Sequence, residues 1–224
     1  MRRTCNACRV IKVLVVAVVA LLWVPPAAAQ QPAQPVKPAE KPQPAKTTTL
    51  DNLQTAYNGE SNAHARYEAF AKKASEEGYG QVASLFRAAA RSEEIHFNNH
   101  AAVIKKMGGT PKADIKPPEV KSTKENLAAA LQGESYERDT MYPDFLKQAK
   151  AEGNKEAVET CNFSLQAETE HAKLYKEALD NLDTWKTGTK DFFVCPKCGF
   201  TVVKITFEKC PVCSTPKDKY EKIS

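Results

Sequence analysis

Glu93-Glu94-Ile95-His96 and Glu168-Thr169-Glu170-His171 are two copies of one pattern, E-x-x-H, and their reading decides the fold of this 224-residue chain. In a helix, that spacing puts a carboxylate and an imidazole on one face, one turn apart. Both copies sit on apolar stripes. Val82, Phe86, Ala89, Glu93, His96, His100, Val103 and Met107 alternate steps of four and three. Val158, Cys161, Leu165, Glu168, His171, Tyr175 and Leu182 make a second such stripe. Each is the face that a helix turns toward a core.

Two more stripes lie outside these. Leu53, Tyr57, Glu60, His64, Tyr67, Ala71 and Ala74 form one. The other follows Ser122-x-x-Glu125, which has the form of a capping box, and runs through Leu127, Leu131, Glu134, Glu137, Met141 and Phe145 to about Glu152. Gly78-Tyr79-Gly80 and Gly153 make short turns, whereas the Pro- and Gly-rich Gly108–Lys121 is a long crossover. The expected fold is mainly α: a four-helix bundle with one long connection over residues 47–186.

The halves look duplicated. Asn52-Leu53 and Gly59-Glu60-Ser61 match Asn126-Leu127 and Gly133-Glu134-Ser135 at an offset of 74. Tyr67, Phe70, Glu77-Gly78, Glu93 and His96 match Tyr142, Phe145, Glu152-Gly153, Glu168 and His171 at an offset of 75. One residue is therefore inserted between Ser135 and Tyr142. Helices absorb such an insertion as a π-bulge, and a bulge is expected there.

Glu60, Glu93, Glu134, Glu137 and Glu168 occupy the apolar stripes with His96 and His171. Burying them unpaired costs several kcal/mol per charge, and no lysine or arginine on the stripes compensates. Two divalent cations would. One Glu from each of two helices plus an E-x-x-H from each of the others is the ligand set of a dinuclear carboxylate site, suited to iron or manganese. Glu137 has no counterpart in the first half, and it is the ligand expected to let one metal change partners with oxidation state. Tyr67 and Tyr142 are read as donors to ligand carboxylates. His64 and His100 are read as hydrogen-bonded core or dimer-interface histidines, and Cys161 as a small buried apolar residue.

Cys195-x-x-Cys198 and Cys210-x-x-Cys213 form paired knuckles within residues 187–224. Four thiolates so spaced make a tetrahedral site for iron or zinc, and two disulfides are the alternative. Phe192–Val194 and Thr201–Phe207 read as its strands. A module this small needs its metal to hold together.

Residues 1–29 order a basic start, an apolar run Val13–Val24 and Ala27-Ala28-Ala29, as in a cleaved export signal; an uncleaved leader would instead anchor the chain in a membrane. Residues 30–46 are a Pro-rich tether. The leader holds Arg2, Arg3, Arg9 and Lys12 and no acid, and without them the net charge of +5 falls to about +1. Nucleic acid is not an expected partner.

The order G-E-S, E-x-x-H, G-E-x-x-E, M-Y-P-x-F, E-x-x-H, C-x-x-C-G and C-P-x-C resembles the rubrerythrins from Thr49 to Ser224. The resemblance implies a ferritin-like di-iron bundle joined to a rubredoxin-like domain. Its ligands would be Glu60, Glu93, His96, Glu134, Glu137, Glu168 and His171 for two irons, and Cys195, Cys198, Cys210 and Cys213 for a third, with zinc as an alternative in the four-cysteine site. It further implies a homodimer in which the four-cysteine site of one subunit lies near the di-iron site of the other, reduction of hydrogen peroxide, and a one-electron donor protein. Two departures stand out. Phe200–Lys209 lacks the family's Gly- and Pro-bearing loop, and the leader points to the periplasm, where a cytochrome would be the donor. The rival readings are a ferroxidase or iron-sequestering protein with structural zinc, and an interaction module without turnover.

Overall fold

The structure is a computed structural model describing residues 47–224. The export signal, the alternative anchor and the tether lie outside the described residues. Among the described residues no helix is long and apolar enough to cross a membrane.

Four helical rods form the bundle: α1 (Thr49–Glu76), α2 (Gly80–Lys106), a rod made of α3 (Thr123–Tyr136) and α4 (Tyr142–Ala151), and α5 (Lys155–Asp180). Between α3 and α4 lies a π-helical segment, Glu137–Met141, where the repeat offset changes. The inserted residue is absorbed as expected: Leu127 and Glu134 before it, and Met141 and Tyr142 after it, are all buried. Regular α-helix across the insertion would turn the second half of the rod about 100° off the core.

Thr48 and Ser122 cap α1 and α3 with complete capping boxes. The duplication extends to a reciprocal contact. Glu77, at the end of α1, accepts from the Thr123 N–H at 2.8 Å, and its repeat partner Glu152 accepts from the Thr49 N–H at 3.1 Å. Each half thus satisfies a free amide at the start of the other. The crossover is neither helix nor strand and is pinned to α1 through Asn58 and Asn62.

The C-terminal residues form a three-stranded antiparallel sheet, β1 (Phe192–Val194), β2 (Thr201–Val202) and β3 (Glu221–Ile223), in the order β2-β1-β3. The long strand expected over Thr201–Phe207 stops at Val202. The chain bends at Val203-Lys204, because the next segment must bring Cys210 back beside Cys198. β3 takes the opposite edge, unforeseen from sequence. Phe192 and Val194 bury in the same cluster as Phe86, Tyr175 and Trp185, so the small sheet has apolar support from the bundle besides its cysteines. Arg91 clamps the sheet to α2 through Glu221 at 2.6 Å.

Candidate metal centre

The bundle core carries its polar groups on one level. Glu60, Glu93, Glu134, Glu168, His96 and His171 are all completely buried. They fall into two overlapping groups, Glu60–Glu93–His96–Glu168 and Glu93–Glu134–Glu168–His171, each with donor atoms within 4.8 Å of one another. Glu93 and Glu168 belong to both, as bridging carboxylates must. His96 Nδ1 lies 2.8 Å from Glu93 and 3.1 Å from Glu168. His171 Nδ1 lies 2.9 Å from Glu168 and 3.6 Å from Glu134.

Whether the residues fit two cations is answered by what they lack. Glu60 Oε2, Glu93 Oε1, Glu134 Oε2 and both oxygens of Glu168 are buried without a hydrogen-bond donor, as is His171 Nδ1. Unpartnered atoms of this kind are costly, and here they converge. The ionisation pattern agrees. Burial, then repulsion from Glu93 and Glu168, holds Glu60 well above the usual carboxylate range. Burial, then Glu168 and Glu93, pushes Glu134 up to about 8. Against its burial, His171 and His96 hold Glu93 down to about 2. Against its own burial, His96 is raised to about 10 by Glu168 and Glu93. Without metal, protons do part of the work of cations.

The outer oxygens are held. Tyr67 donates to Glu134 Oε1 and Tyr142 donates to Glu60 Oε1, each tyrosine serving the carboxylate of the opposite repeat. Glu137 opens the π segment outside both groups; burial, then Glu60 and Glu134, holds its carboxyl well above the usual range. His64 bonds the Ala90 carbonyl at 2.8 Å and joins neither group. His100 is a buried, hydrogen-bonded core residue. Cys161 is buried, and burial pushes its thiol up to about 12.

Sequence reading missed Arg66, whose guanidinium lies 5.4 Å over the Tyr67 ring and feels Glu137 and Glu134. It also missed the backing of the histidines. His96 Nε2 lies 3.2 Å from the Cys198 carbonyl, and His171 Nε2 lies 3.2 Å from Thr201 Oγ1. Ser92 donates to the Gly199 carbonyl at 2.8 Å. Gly199 has φ +76°, as its tight turn requires, and a Cβ there would run into His96 and Ser92. The glycine of C-x-x-C-G was the available signal. The two sites thus meet within this chain.

The four cysteines are free, with sulfurs 3.5 Å apart for Cys195–Cys213 and 3.6 Å for Cys198–Cys210, too long for disulfides. Metal–sulfur bonds of about 2.3 Å give a tetrahedral edge of about 3.7 Å, so the spacing suits one ion. The Cys198 thiol, then the N–H groups of Cys198 and Lys197, hold the Cys195 thiol down to about 4. The donor set fits a rubredoxin-like iron site, and the bundle's donors fit two irons.

A family model for rubrerythrin matches residues 51–179. Nigerythrin of Nitratidesulfovibrio vulgaris is 41% identical over 174 residues, covering 77% of this chain and 85% of that protein. Rubrerythrin-2 of Clostridium acetobutylicum is 38% identical, covering 77% of this chain and 95% of that protein. Among solved structures, nigerythrin in its fully reduced, all-ferrous state superposes with a TM-score of 0.72 at 39% identity, over 79% of this chain and 87% of that one. A bacterioferritin of Desulfovibrio desulfuricans, at 21% identity and a TM-score of 0.57, shares the fold. A match spanning more than half the chain, carried through both halves of the repeat and extended by these relatives over the cysteine knuckles, establishes that the chain belongs to the rubrerythrin family.

Proposed function

We propose that this chain reduces hydrogen peroxide to water, with electrons relayed through the four-cysteine site. Members of the family are oxidoreductases with a di-iron site and a role in oxidative stress. The observation that carries the finer reading is the position of His96. One ring nitrogen faces Glu93 and Glu168, and the other faces the Cys198 carbonyl, so a single residue joins the two sites.

Bound in the bundle, two ferrous ions supply Lewis acidity and the two electrons required by H2O2 + 2H+ + 2e− → 2H2O, and a thiolate-held iron supplies replacements singly. Glu93 and Glu168, which belong to both ligand groups, would be shared by the two metals. Glu60 with His96, and Glu134 with His171, complete the two sets. Tyr142 and Tyr67 fix the outer oxygens of Glu60 and Glu134, leaving Oε2 of each for metal. Glu137, on the least regular turn, is the carboxylate suited to exchange. Complete burial of the other six keeps bulk water away from the chemistry.

Glu93→Ala is expected to abolish anaerobic peroxide consumption by the reduced protein, and retained turnover would overturn the reading. The departure of Phe200–Lys209 from the family's loop favours a second reading, a ferroxidase with structural zinc. Metal content and visible absorption separate the two. Three irons with thiolate-to-iron bands support the redox chain, whereas two irons with one zinc support the ferroxidase. On the strength of the leader, the same proposal places the chain in the periplasm with a one-electron donor such as a cytochrome. Cell fractionation tests that.

A further inference from the structure

A buried hydroxyl at the four-cysteine site has no partner in the fold. β3 pairs with β1 so that Glu221 faces Val194, and Tyr220, one residue earlier, comes alongside Cys195. The Tyr220 ring packs on the cluster of Cys195, Cys198 and Cys210, and it lies 5.5 Å from the ring of Phe207. Phe207 belongs to Phe200–Lys209, the segment that departs from the family's loop, so the departure supplies a wall for Tyr220. The Tyr220 hydroxyl is buried, and among the described residues no hydrogen-bond partner satisfies it. A phenylalanine would fill the same space without burying an unpaired polar group. Burial, then the Cys210 thiol, pushes the ionisation of this hydroxyl up, so it keeps its proton.

A second hydroxyl stands at the next cysteine. Thr215 Oγ1 lies 3.1 Å from Cys213 Sγ. Burial pushes the Cys213 thiol up, and the Thr215 hydroxyl, then its N–H, oppose that push.

We propose that Tyr220 and Thr215 donate hydrogen bonds to the thiolates of Cys210 and Cys213, and that they thereby raise the reduction potential of iron held by the four cysteines. The proposal rests on iron in that site, and on the relay of electrons to peroxide only for its use.

The direction of donation follows from charge. A metal-bound thiolate has no proton, so between a hydroxyl and that sulfur only the oxygen can donate. Donation draws negative charge away from sulfur. Four thiolates leave ferric iron with one net negative charge and ferrous iron with two, so the reduced state gains more from each donor and the potential rises. One electron enters the site and no proton moves, because both hydroxyls keep theirs. Backbone N–H groups reach the sulfurs as well, those of Cys198 and Lys197 at Cys195 and that of Phe200 at Cys198. Any knuckle of this shape presents such amides, whereas the hydroxyls belong to this sequence. Tyr220 and Thr215 touch no substrate or reacting atom and are positioning residues that act through sulfur. A raised potential lets the site take electrons from a weak donor.

The test is a redox titration of the iron-loaded full chain, followed through its thiolate-to-iron bands. Tyr220→Phe is expected to lower the equilibrium constant for reduction about ten-fold, or about 59 mV for one electron. Thr215→Val is expected to lower it similarly, with Thr215→Ser near the unmodified value. An unchanged or raised midpoint in Tyr220→Phe overturns the proposal, as does a Thr215→Ser midpoint equal to that of Thr215→Val. Should Tyr220→Phe fail to fold, cadmium-113 in the four-cysteine site of the unmodified chain decides. A hydroxyl proton bonded to the Cys210 sulfur couples to the metal nucleus through that bond. The coupling is expected at Tyr220, and its absence overturns the assignment. Lowered midpoints in a chain that never reduces peroxide would refute the functional reading and leave the proposal standing. Unchanged midpoints in a chain that does reduce peroxide would do the reverse.

Discussion

Single residues in this chain are used from both ends. His96 meets carboxylates through Nδ1 and the Cys198 carbonyl through Nε2, which is why Gly199 admits no side chain. Gly199→Ala combines a positive φ with a collision against His96 and Ser92. It is expected to cost about 1–3 kcal/mol in thermal unfolding and to lower iron retention in the bundle; unchanged stability would show that the knuckle does not press on the histidine. Tyr67→Phe leaves Glu134 Oε1 without its donor, and iron affinity measured by chelator competition is expected to fall about 10–100-fold. Much of this was legible in sequence, because carboxylates on an apolar stripe are an anomaly that metal resolves. The crossing of Tyr67 to Glu134 and Tyr142 to Glu60 was not, because which carboxylate a tyrosine reaches depends on how the helices face one another.

At the scale of elements, the change of repeat offset from 74 to 75 located the π segment before any coordinates. Deleting Thr140 should restore an unbroken α-helix and rotate Glu137 relative to Glu134. The expected outcome is native helical content by circular dichroism with impaired peroxide turnover; full turnover would deny the segment a role. The reciprocal caps make a second case. Hydrogen bonds from the Thr123 hydroxyl and N–H hold Glu77 down to about 2. A carboxylate depressed in the folded state adds stability above its ordinary value near 4.5, and that stability is lost as pH falls through about 2. Glu77→Ala is therefore expected to destabilise by about 1 kcal/mol at neutral pH, the usual worth of a helix cap, with a deficit that vanishes on acidification between those values. A deficit independent of pH would assign the effect to packing instead. The strand over Thr201–Phe207 was misread in length because β-propensity does not register that Cys210 must return to Cys198.

For the whole molecule, the two sites are one assembly. The sheet's Phe192 and Val194 complete the bundle's core, and the first knuckle covers both histidines. Without metal at pH 7, His96 and Glu134 retain protons, with values near 10 and 8. Ferrous iron must displace them, so loading the metal-free chain in weak buffer is expected to release protons, with the pH falling in step with bound iron. Loading without release would mean that the carboxylates are already ionised and balanced otherwise.

The sequence by itself determined which residues carry the chemistry, how many helices there are, and where the third helix is irregular. Periodicity and internal repetition are properties of one chain read along its length, and a buried carboxylate announces itself by interrupting an apolar stripe. Only the tertiary structure decided that Glu93 and Glu168 are the shared carboxylates and that the knuckle backs the histidines within one chain. Those facts join residues from different helices, and the distance between two helical faces is set by packing, which no single stretch of sequence contains.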